Sequence, residues 1–488
     1  MPTVLGNFPS INELLESPPL KSLVERVNPT RVMSSVRSFV DGMRHELQTA
    51  VSQRQIPSPT ALAEQIAQWI IRQEHAGVRA VINATGIVIH PELGTGPLAD
   101  EALLALREAA GGYARATSQD LAGRGSRIEE LLQQLTGCEA AIVTNNTSLA
   151  LSLVTSAIAG GRQVLVPRAH LVAAADGSRP YELIDAAGGK LRECGALNQL
   201  TADDLSAGHS SDAAFLFWQQ GLPFELTGAN DVLDLPGVVS WANKHSLPVV
   251  VDLGIGGMID CSAFGLTKQL TAKEALQAGA AAVIVRGDGL LGGPSCGMIV
   301  GRSSFISRLA SYPLFRAVAA DKLTLAALES TLELYRNSAE HPASERTAAD
   351  PTANLSERAI PLLGLLATPA DNLKHRCERL APQLAASPAM RSVEILPGNA
   401  YLTGAKLSSE RLPTWGLSLE AAQGTATDLL QLLASTTPAI IARQEADRVW
   451  LDLRTVAPRE DQQIVLAIEQ LARGKESAKE TAKEVPLA

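Results

Sequence analysis

Five consecutive polar residues, Thr144-Asn145-Asn146-Thr147-Ser148, stand directly after the apolar run Ala140–Val143. A helical pattern begins near Leu149, so these residues are predicted to form the turn between a strand and a helix. Backbone N–H groups at a helix start, together with hydroxyl and amide side chains, make a ready anion site. A helix N-cap would account for one of these residues but not for five in a row. We therefore predict that Thr144–Ser148 bind a phosphate group.

A carboxylate and an imidazole follow two other apolar runs. Asp252 ends the run Leu247–Val251, where a carboxylate can hold a pyridinium nitrogen protonated and so turn a pyridine ring into an electron sink. The alternative for Asp252 is a helix N-cap. His170 follows the run Val164–Val166 and is placed to stack on such a ring, although a lone histidine is also a common structural residue of a core.

Short β-branched runs alternate with amphipathic helical stretches from about Arg79 onward. The predicted strands are Ala140–Thr144, Gln163–Pro167, Ala213–Trp218, Pro248–Leu253, Ala281–Val285 and Gly297–Val300. This alternation indicates a mostly parallel sheet that is covered by helices on both faces. Because such sheets bind ligands beyond the carboxyl ends of their strands, the polar residues described above are expected to share one site.

The same patterns divide the chain into four segments. Apolar residues at helical spacing predict a helical N-terminal domain over residues 1–75, followed by the large α/β domain over residues 76–340. Strand candidates at Ala439–Ala442 and Val449–Leu453 predict a small α+β domain over residues 341–471. The polar stretch 337–354 is expected to be a loop, and residues 472–488 are expected to be a disordered tail.

Charge and composition exclude several functions. A net charge of −9 argues against DNA binding and against nucleic-acid binding over the whole surface. A local basic face remains open, because residues 21–54 carry Lys21, Arg26, Arg31, Arg37, Arg44 and Arg54; an ordinary solvated helix surface is the alternative. The five cysteines stand far apart without metal-ligand spacing, so no metal site is predicted.

No membrane or secretion signal is predicted either. The longest apolar runs are strand-sized and far short of the roughly 20 residues that cross a bilayer. The N-terminal sequence lacks the basic start and the continuous apolar segment of a secretory signal. We therefore expect a cytoplasmic protein.

Several strings of the chain, from roughly residue 10 to residue 465, resemble bacterial selenocysteine synthases, the L-seryl-tRNA(Sec) selenium transferases. They are Asn83–Gly86 with His90 and Leu93-Gly94, Arg124–Arg127, Val251–Gly256, Arg286–Gly297 and Pro313–Tyr335. The resemblance implies an α/β fold of the aspartate-aminotransferase-like type, found in transferases that depend on pyridoxal phosphate. It also implies pyridoxal 5'-phosphate as the coenzyme, seryl-tRNA(Sec) as the substrate and a homo-oligomer.

The resemblance further implies roles for individual residues. Thr144–Ser148, Asp252 and Arg286 would contact the coenzyme, and Arg286 would pair with a ligand phosphate or fill the space of a lost lysine. Arg316, Arg127 and Arg168 would receive the substrate anion.

The departures from the family pattern fall on its chemistry. Gly289 stands at the position of the lysine that forms the Schiff base, and Thr95 and Ala319 stand where the family has anion-binding arginines. A glycine has no amine, so covalent catalysis by that route is lost. The catalytic set is therefore Asp252, His170 and the substituted position Gly289.

Three hypotheses follow. The first is a divergent synthase homologue with impaired or lost selenium transfer, which binds pyridoxal phosphate without a covalent bond or not at all. The second is a lyase of the same fold that acts on a different small amino compound through a repositioned base. The third is a non-catalytic homologue that binds RNA or regulates.

Overall fold

The structure, a computed structural model, describes the chain except for residues 1–8, 27–28, 50–57, 75–77, 95, 115–125, 174–176, 178, 221–231, 341–358, 405–409 and 472–488. It divides into two units, Met1–Ala80 and Val81–Ala488. The predicted tail 472–488 lies outside the described residues. Residues 337–340, which were expected to begin a loop, instead belong to a helix that ends at Glu340.

The N-terminal unit is helical. Its helices are α1 (Ile11–Leu15), α2 (Pro18–Arg26), α3 (Pro29–Thr49) and α4 (Pro59–Glu74). A capping box starts α1, because the Ser10 hydroxyl accepts the Glu13 N–H and the Glu13 carboxylate accepts the Ser10 N–H. Residues three or four apart along α3 and α4, such as Val32 with Val36 and Ile66 with Ile70, form the buried core of the unit.

A seven-stranded sheet forms the centre of the second unit. Its strands are β3 (Ala140–Thr144), β4 (Gln163–Pro167), β5 (Lys190–Cys194), β6 (Ala213–Gln219), β7 (Val249–Asp252), β8 (Ala282–Arg286) and β9 (Gly297–Gly301). They lie in the order β3-β9-β8-β7-β6-β4-β5, with β9 antiparallel to both neighbours and the other pairs parallel. The predicted mostly parallel sheet is confirmed.

Helices cover this sheet on both faces. The described α-helices between residues 100 and 340 are α5 (Asp100–Ala110), α6 (Arg127–Thr136), α7 (Thr147–Val154), α8 (Pro180–Ala186), α9 (Ala202–Gly208), α10 (Leu235–Lys244), α11 (Ala272–Gln277), α12 (Ser303–Ser311), α13 (Phe315–Val318) and α14 (Lys322–Glu340). One face of the sheet packs against α6, α10 and α14, and the other packs against α7, α12 and α13. Alternate residues of each strand enter the two cores, as expected for strands that are buried on both sides.

A six-stranded sheet contains the C-terminal strands. It combines β1 (Val81–Ala84), β2 (Ile87–Ile89), β10 (Met390–Thr403), β11 (Arg411–Ala421), β12 (Ala439–Glu445) and β13 (Arg448–Asp452) in the order β1-β12-β13-β11-β10-β2. The accompanying helices are α15 (Pro361–Ala367), α16 (Ala370–Ala385), α17 (Ala426–Ala434) and α18 (461–471). The sequence assigned residues 81–89 to the large α/β domain, whereas β1 pairs with β12 and β2 with β10. That assignment is wrong, because the pairing joins segments that are distant in the chain.

Candidate active site

Four polar side chains lie on one face of the seven-stranded sheet, at the carboxyl ends of its parallel strands. Phe217, Val250 and Ile284 enter the core beneath α7. Side chains two residues apart in a strand point to the same face, so Gln219, Asp252 and Arg286 project to that face as well. Gln219 pairs with Asp252 across adjacent strands. By the same alternation, Ile142 places Thr144 on this face.

The turn after β3 combines a helix cap with an anchored hydroxyl. The Asn146 side chain accepts the Leu149 N–H at 2.8 Å and so caps α7. The buried Thr144 hydroxyl lies 2.9 Å from the carbonyl oxygens of Asn146 and of Gly297. Gly297 must be a glycine, because a Cβ there would collide with the Asn146 carbonyl.

The N-cap alternative therefore explains Asn146 but not its neighbours. Thr147 and Ser148 are half-buried in the first turn of α7, where backbone N–H groups have no partner within the helix. Asn145 is exposed, and its backbone N–H donates to the Val318 carbonyl. Phosphate binding by Thr144–Ser148 stays a prediction.

Asp252 is a buried carboxyl with one backbone partner. Its Oδ1 accepts the Gly254 N–H at 2.8 Å, and only 9% of the residue is exposed. Burial raises the pKa of Asp252 to about 6, while the Gly254 hydrogen bond and the charge of Arg286 act in the opposite direction. The chain turns after β7 without starting a helix, so the alternative of a helix N-cap is wrong.

His170 is a buried, neutral histidine. Its Nδ1 accepts the Gln219 backbone N–H at 3.0 Å, so the proton of the neutral ring is on Nε2. The ring packs against Trp218 with a centroid distance of 4.2 Å and a tilt of 53°. Burial lowers the pKa of His170 to about 4. These contacts give His170 a structural role at the strand end, and stacking on a ligand ring remains a prediction.

Main-chain contacts close the turn that contains Gly289. The Leu290 N–H donates to the Ile255 carbonyl at 2.9 Å. A Cβ at Gly289 would lie 2.7 Å from the Ile255 oxygen, closer than real Cβ contacts allow. A lysine at this position would therefore require the backbone after β7 to move.

A charge pair accompanies this closed turn. Arg286 donates from Nε to Asp288 at 2.7 Å, and the Asp288 side chain is almost fully buried. The thiol of Cys296, in the same turn, is buried, and burial raises its pKa to about 12. An inert thiol is consistent with this environment.

The arginines predicted to bind a substrate anion differ in their surroundings. Arg127 binds Glu333 through Nε and Nη2, at 2.8 and 2.7 Å. Arg168 pairs with Glu193 at 2.9 Å and also donates to the Gly195 carbonyl. Arg316 is exposed on α13. The structure thus gives Arg127 and Arg168 carboxylate partners within the chain.

The resemblance implies an arginine at two further positions, Thr95 and Ala319. Ala319 forms an isolated β-bridge with Thr144, so it lies against the turn after β3. Thr95 lies outside the described residues. The position that the resemblance singled out therefore lies beside the turn after β3, where the side chain of Ala319 is a methyl group.

Sequence reasoning missed Gln219. The residue is 7% exposed, and its Oε1 has no hydrogen-bond partner among the described residues. Gln219 is the first polar residue after the run Ala213–Trp218, the same signal that identified Asp252. Applied to every strand, that rule would have found it.

The family model and the curated relatives that match this chain carry the same description, and the relatives match over nearly its whole length. A family model described as L-seryl-tRNA selenium transferase matches residues 81–457. The L-seryl-tRNA(Sec) selenium transferase of Moorella thermoacetica is 32% identical over 477 residues, which cover 96% of this chain and 97% of that protein. That of Geobacter sulfurreducens is 32% identical over 476 residues, which cover 96% of this chain and all of that protein, 100%. The chain belongs to the L-seryl-tRNA selenium transferase family.

A solved structure supports the fold. A D-glucosaminate-6-phosphate ammonia-lyase matches with a TM-score of 0.55 and 20% identity, over 83% of this chain and 98% of that one. At this identity the match shows the fold alone. The expected α/β fold of the aspartate-aminotransferase-like type is confirmed.

The described residues fit one part of the implied coenzyme and not another. A buried carboxyl, an unpartnered carboxamide oxygen and a polar helix start suit a phosphorylated pyridine ring. Covalent attachment at position 289 does not fit, because glycine has no amine and the Ile255 carbonyl occupies the path of a side chain. No catalytic step through a lysine at 289 is therefore available to this chain.

Among the described helices, none is long and apolar enough to span a membrane. Within the same part of the chain, no group of three or more His, Cys, Asp or Glu side chains is arranged to hold a metal ion.

Proposed function

We propose that this protein is a selenium transferase homologue that binds pyridoxal phosphate without a covalent bond and does not carry out the lysine-dependent transfer. The observation that carries this proposal is the closed turn at Gly289, where the Leu290–Ile255 hydrogen bond lies in the path of a side chain. The buried carboxyl of Asp252 and the polar start of α7 support binding of the ring and the phosphate.

The coenzyme is tested with a pair of ligands. We expect pyridoxal 5'-phosphate and 4-deoxypyridoxine 5'-phosphate, which lacks the aldehyde, to bind with dissociation constants within about threefold of each other, because no covalent bond favours the aldehyde. Isothermal titration calorimetry measures both. Borohydride treatment followed by mass spectrometry of the intact chain should show no added mass. Coenzyme fixed to any side chain would overturn the proposal.

The transfer reaction is tested directly. The purified full chain, supplied with pyridoxal phosphate, seryl-tRNA(Sec) and selenophosphate, is expected to form no selenocysteinyl-tRNA. A family member that carries the lysine serves as the positive control in the same assay. Turnover by the present chain would contradict the proposed loss of transfer.

We further propose that tRNA(Sec) is a partner, that the chain forms homo-oligomers and that it acts in the cytoplasm. The relatives are named for activity on L-seryl-tRNA(Sec), which supports the first point. Of the six basic residues in the predicted basic face, Lys21 and Arg37 have described side chains, and both are exposed. The other four side chains are not among those that the structure describes: Arg26, Arg31, Arg44 and Arg54.

Charge reversal tests the tRNA contact. Lys21→Glu with Arg37→Glu should weaken tRNA retention on filters and flatten its dependence on salt, because fewer counterions are released. Lys190→Glu, at an exposed lysine of the second unit, is the matched control. Equal retention by both variants would remove residues 21–54 as an RNA contact.

A further inference from the structure

Two histidines lie together at the end of the seven-stranded sheet that is opposite the candidate active site. His209 directly follows α9 and precedes β6, and His245 directly follows α10 and precedes β7. Because β6 and β7 are parallel neighbours, the residues that precede them meet at the amino ends of the strands. The centroids of the two imidazole rings lie 5.0 Å apart. The fold thus pairs two imidazoles at the end of the sheet away from Asp252.

The hydrogen bond of His245 determines which of its ring nitrogens carries the proton. Its Nδ1 lies 2.9 Å from the Trp241 carbonyl oxygen. A carbonyl oxygen can only accept, so Nδ1 donates and the neutral ring presents an unprotonated Nε2. Histidines that bind metals are oriented in this way, with the other ring nitrogen donating to a carbonyl or carboxylate. His245 is exposed, so an ion in the solvent can reach its Nε2.

Trp241 holds both imidazole rings in place. Its indole stacks on His245 with a centroid distance of 4.3 Å and a tilt of 27°, and it contacts the His209 ring at 5.7 Å in an edge-to-face arrangement. The indole N–H donates to the Ser206 hydroxyl at 3.0 Å, and only 6% of Trp241 is exposed. Because the rings are held before any ligand arrives, little side-chain order is lost on binding.

The separation of the two rings fits a shared metal ion. Zn²⁺ lies about 2.0–2.1 Å from an imidazole nitrogen, and therefore about 3.2 Å from the ring centroid. Two rings that bind one ion at an angle of about 90–110° then have centroids about 4.5–5.2 Å apart. The observed 5.0 Å lies within this range. The C-terminus of α10 also favours a cation beside His245, because the last carbonyl groups of a helix carry partial negative charge.

We propose that His209 and His245 bind one divalent transition-metal ion that prefers nitrogen ligands, such as Zn²⁺ or Cu²⁺. The chain supplies two ligands, and water fills the remaining positions. The site is therefore smaller than the groups of three His, Cys, Asp or Glu side chains that are absent from the described residues. The ion joins the end of α9 to the end of α10, and the site is independent of the proposed function.

Calorimetry with Zn²⁺ alone tests the histidine pair. The proteins, all without a histidine tag, are the wild type, His209→Gln, His245→Gln and the control His375→Gln, which removes an exposed histidine of α16. We expect the wild type and the control to bind one ion per chain with affinities equal within about twofold. His209→Gln and His245→Gln should each bind about 100-fold more weakly, because the second ligand no longer acts from a fixed position.

A second readout uses the fluorescence of Trp241. Cu²⁺ quenches an indole that lies against one of its ligands, so emission of the wild type should fall as the site fills, and His245→Gln should not show this loss. Circular dichroism confirms the fold of each variant. His209 is half-buried, so the exposed His245 decides the outcome if His209→Gln does not fold.

Three results would contradict the proposal. The first is a wild type that binds no Zn²⁺, and the second is Zn²⁺ binding that is unchanged in His209→Gln or in His245→Gln. The third is an equal loss of affinity in the His375→Gln control, which would show adventitious binding to surface histidines.

Discussion

The turn after β3 and the turn after β8 reach the same end of the sheet, but they are built differently. The first carries hydroxyl and amide groups around the start of α7, with Thr144 and Asn146 held by short hydrogen bonds. The second is closed by the main chain, because Leu290 donates to Ile255 and no side chain leaves position 289. At the same end of the sheet, polar side chains thus line one turn and main-chain contacts fill the other.

The largest expected effect concerns Asp252, the buried carboxyl that ends β7. The pKa of Asp252 in the folded protein is about 6, above the ordinary 3.8. Ionisation of Asp252 therefore lowers the free energy of unfolding. This loss is complete above about pH 6 and absent below about pH 4. Asp252→Asn should raise the free energy of unfolding by up to ~3 kcal/mol near pH 7.5, and this gain should vanish near pH 4.

Urea unfolding of the wild type and of Asp252→Asn at both pH values measures this difference. His170 changes the free energy of unfolding in the opposite direction. Because its pKa is lowered in the folded protein, the unfolded chain binds the proton first, and stability falls as the pH falls. Both proteins contain His170, so its contribution cancels in the comparison. A difference between the two proteins that is independent of pH would show that Asp252 is not buried in this way.

The next effect tests whether the second turn is closed. Gly289→Ala places a Cβ 2.7 Å from the Ile255 oxygen, and moving that backbone should lower the free energy of unfolding by ~2 kcal/mol. Gly112→Ala is the control, because its Cβ would meet nothing within 4 Å and its effect should stay within ~0.5 kcal/mol. Chemical denaturation of both variants distinguishes a tight turn from an open one, and equal stabilities would indicate an open turn.

The smallest effect tests the first turn. Asn146→Ala removes the cap of α7 and should lower the free energy of unfolding by ~1 kcal/mol. Asn145→Ala, at the exposed neighbour, should change it by less than ~0.5 kcal/mol. If the two variants behave alike, the cap does not stabilise this turn and the contrast between the turns is weaker than the structure indicates.

Local patterns predicted the sheet that positions the site. The bounds of β3 and β4 agree with the sequence, because continuous β-branched runs identify strands that are buried on both faces. Lys190–Cys194 and Met390–Thr403 were missed. The first is an edge strand with a charged Lys-Leu-Arg-Glu pattern, and the second contains Pro397 and Gly398.

Parts of the site could be predicted only where the signal was local. Asp252 was found because it directly follows an apolar run, and Gly289 because the resemblance aligned it with a lysine. The closure of the turn by the Ile255 carbonyl was not predictable, since it joins two turns that follow different strands. The unpaired state of Gln219 likewise depends on all its neighbours at once.

The pairing of β1 with a strand that is distant in sequence affects how the protein folds during synthesis. β1 leaves the ribosome early, but its partner β12 follows much later, and Arg443 reaches the Thr85 carbonyl across 358 residues of chain. Contacts so distant in sequence slow folding and leave strand edges unpaired in the nascent protein. The six-stranded sheet can therefore close only after β12 and β13 have been synthesised, and β1 lacks its partner strand until then.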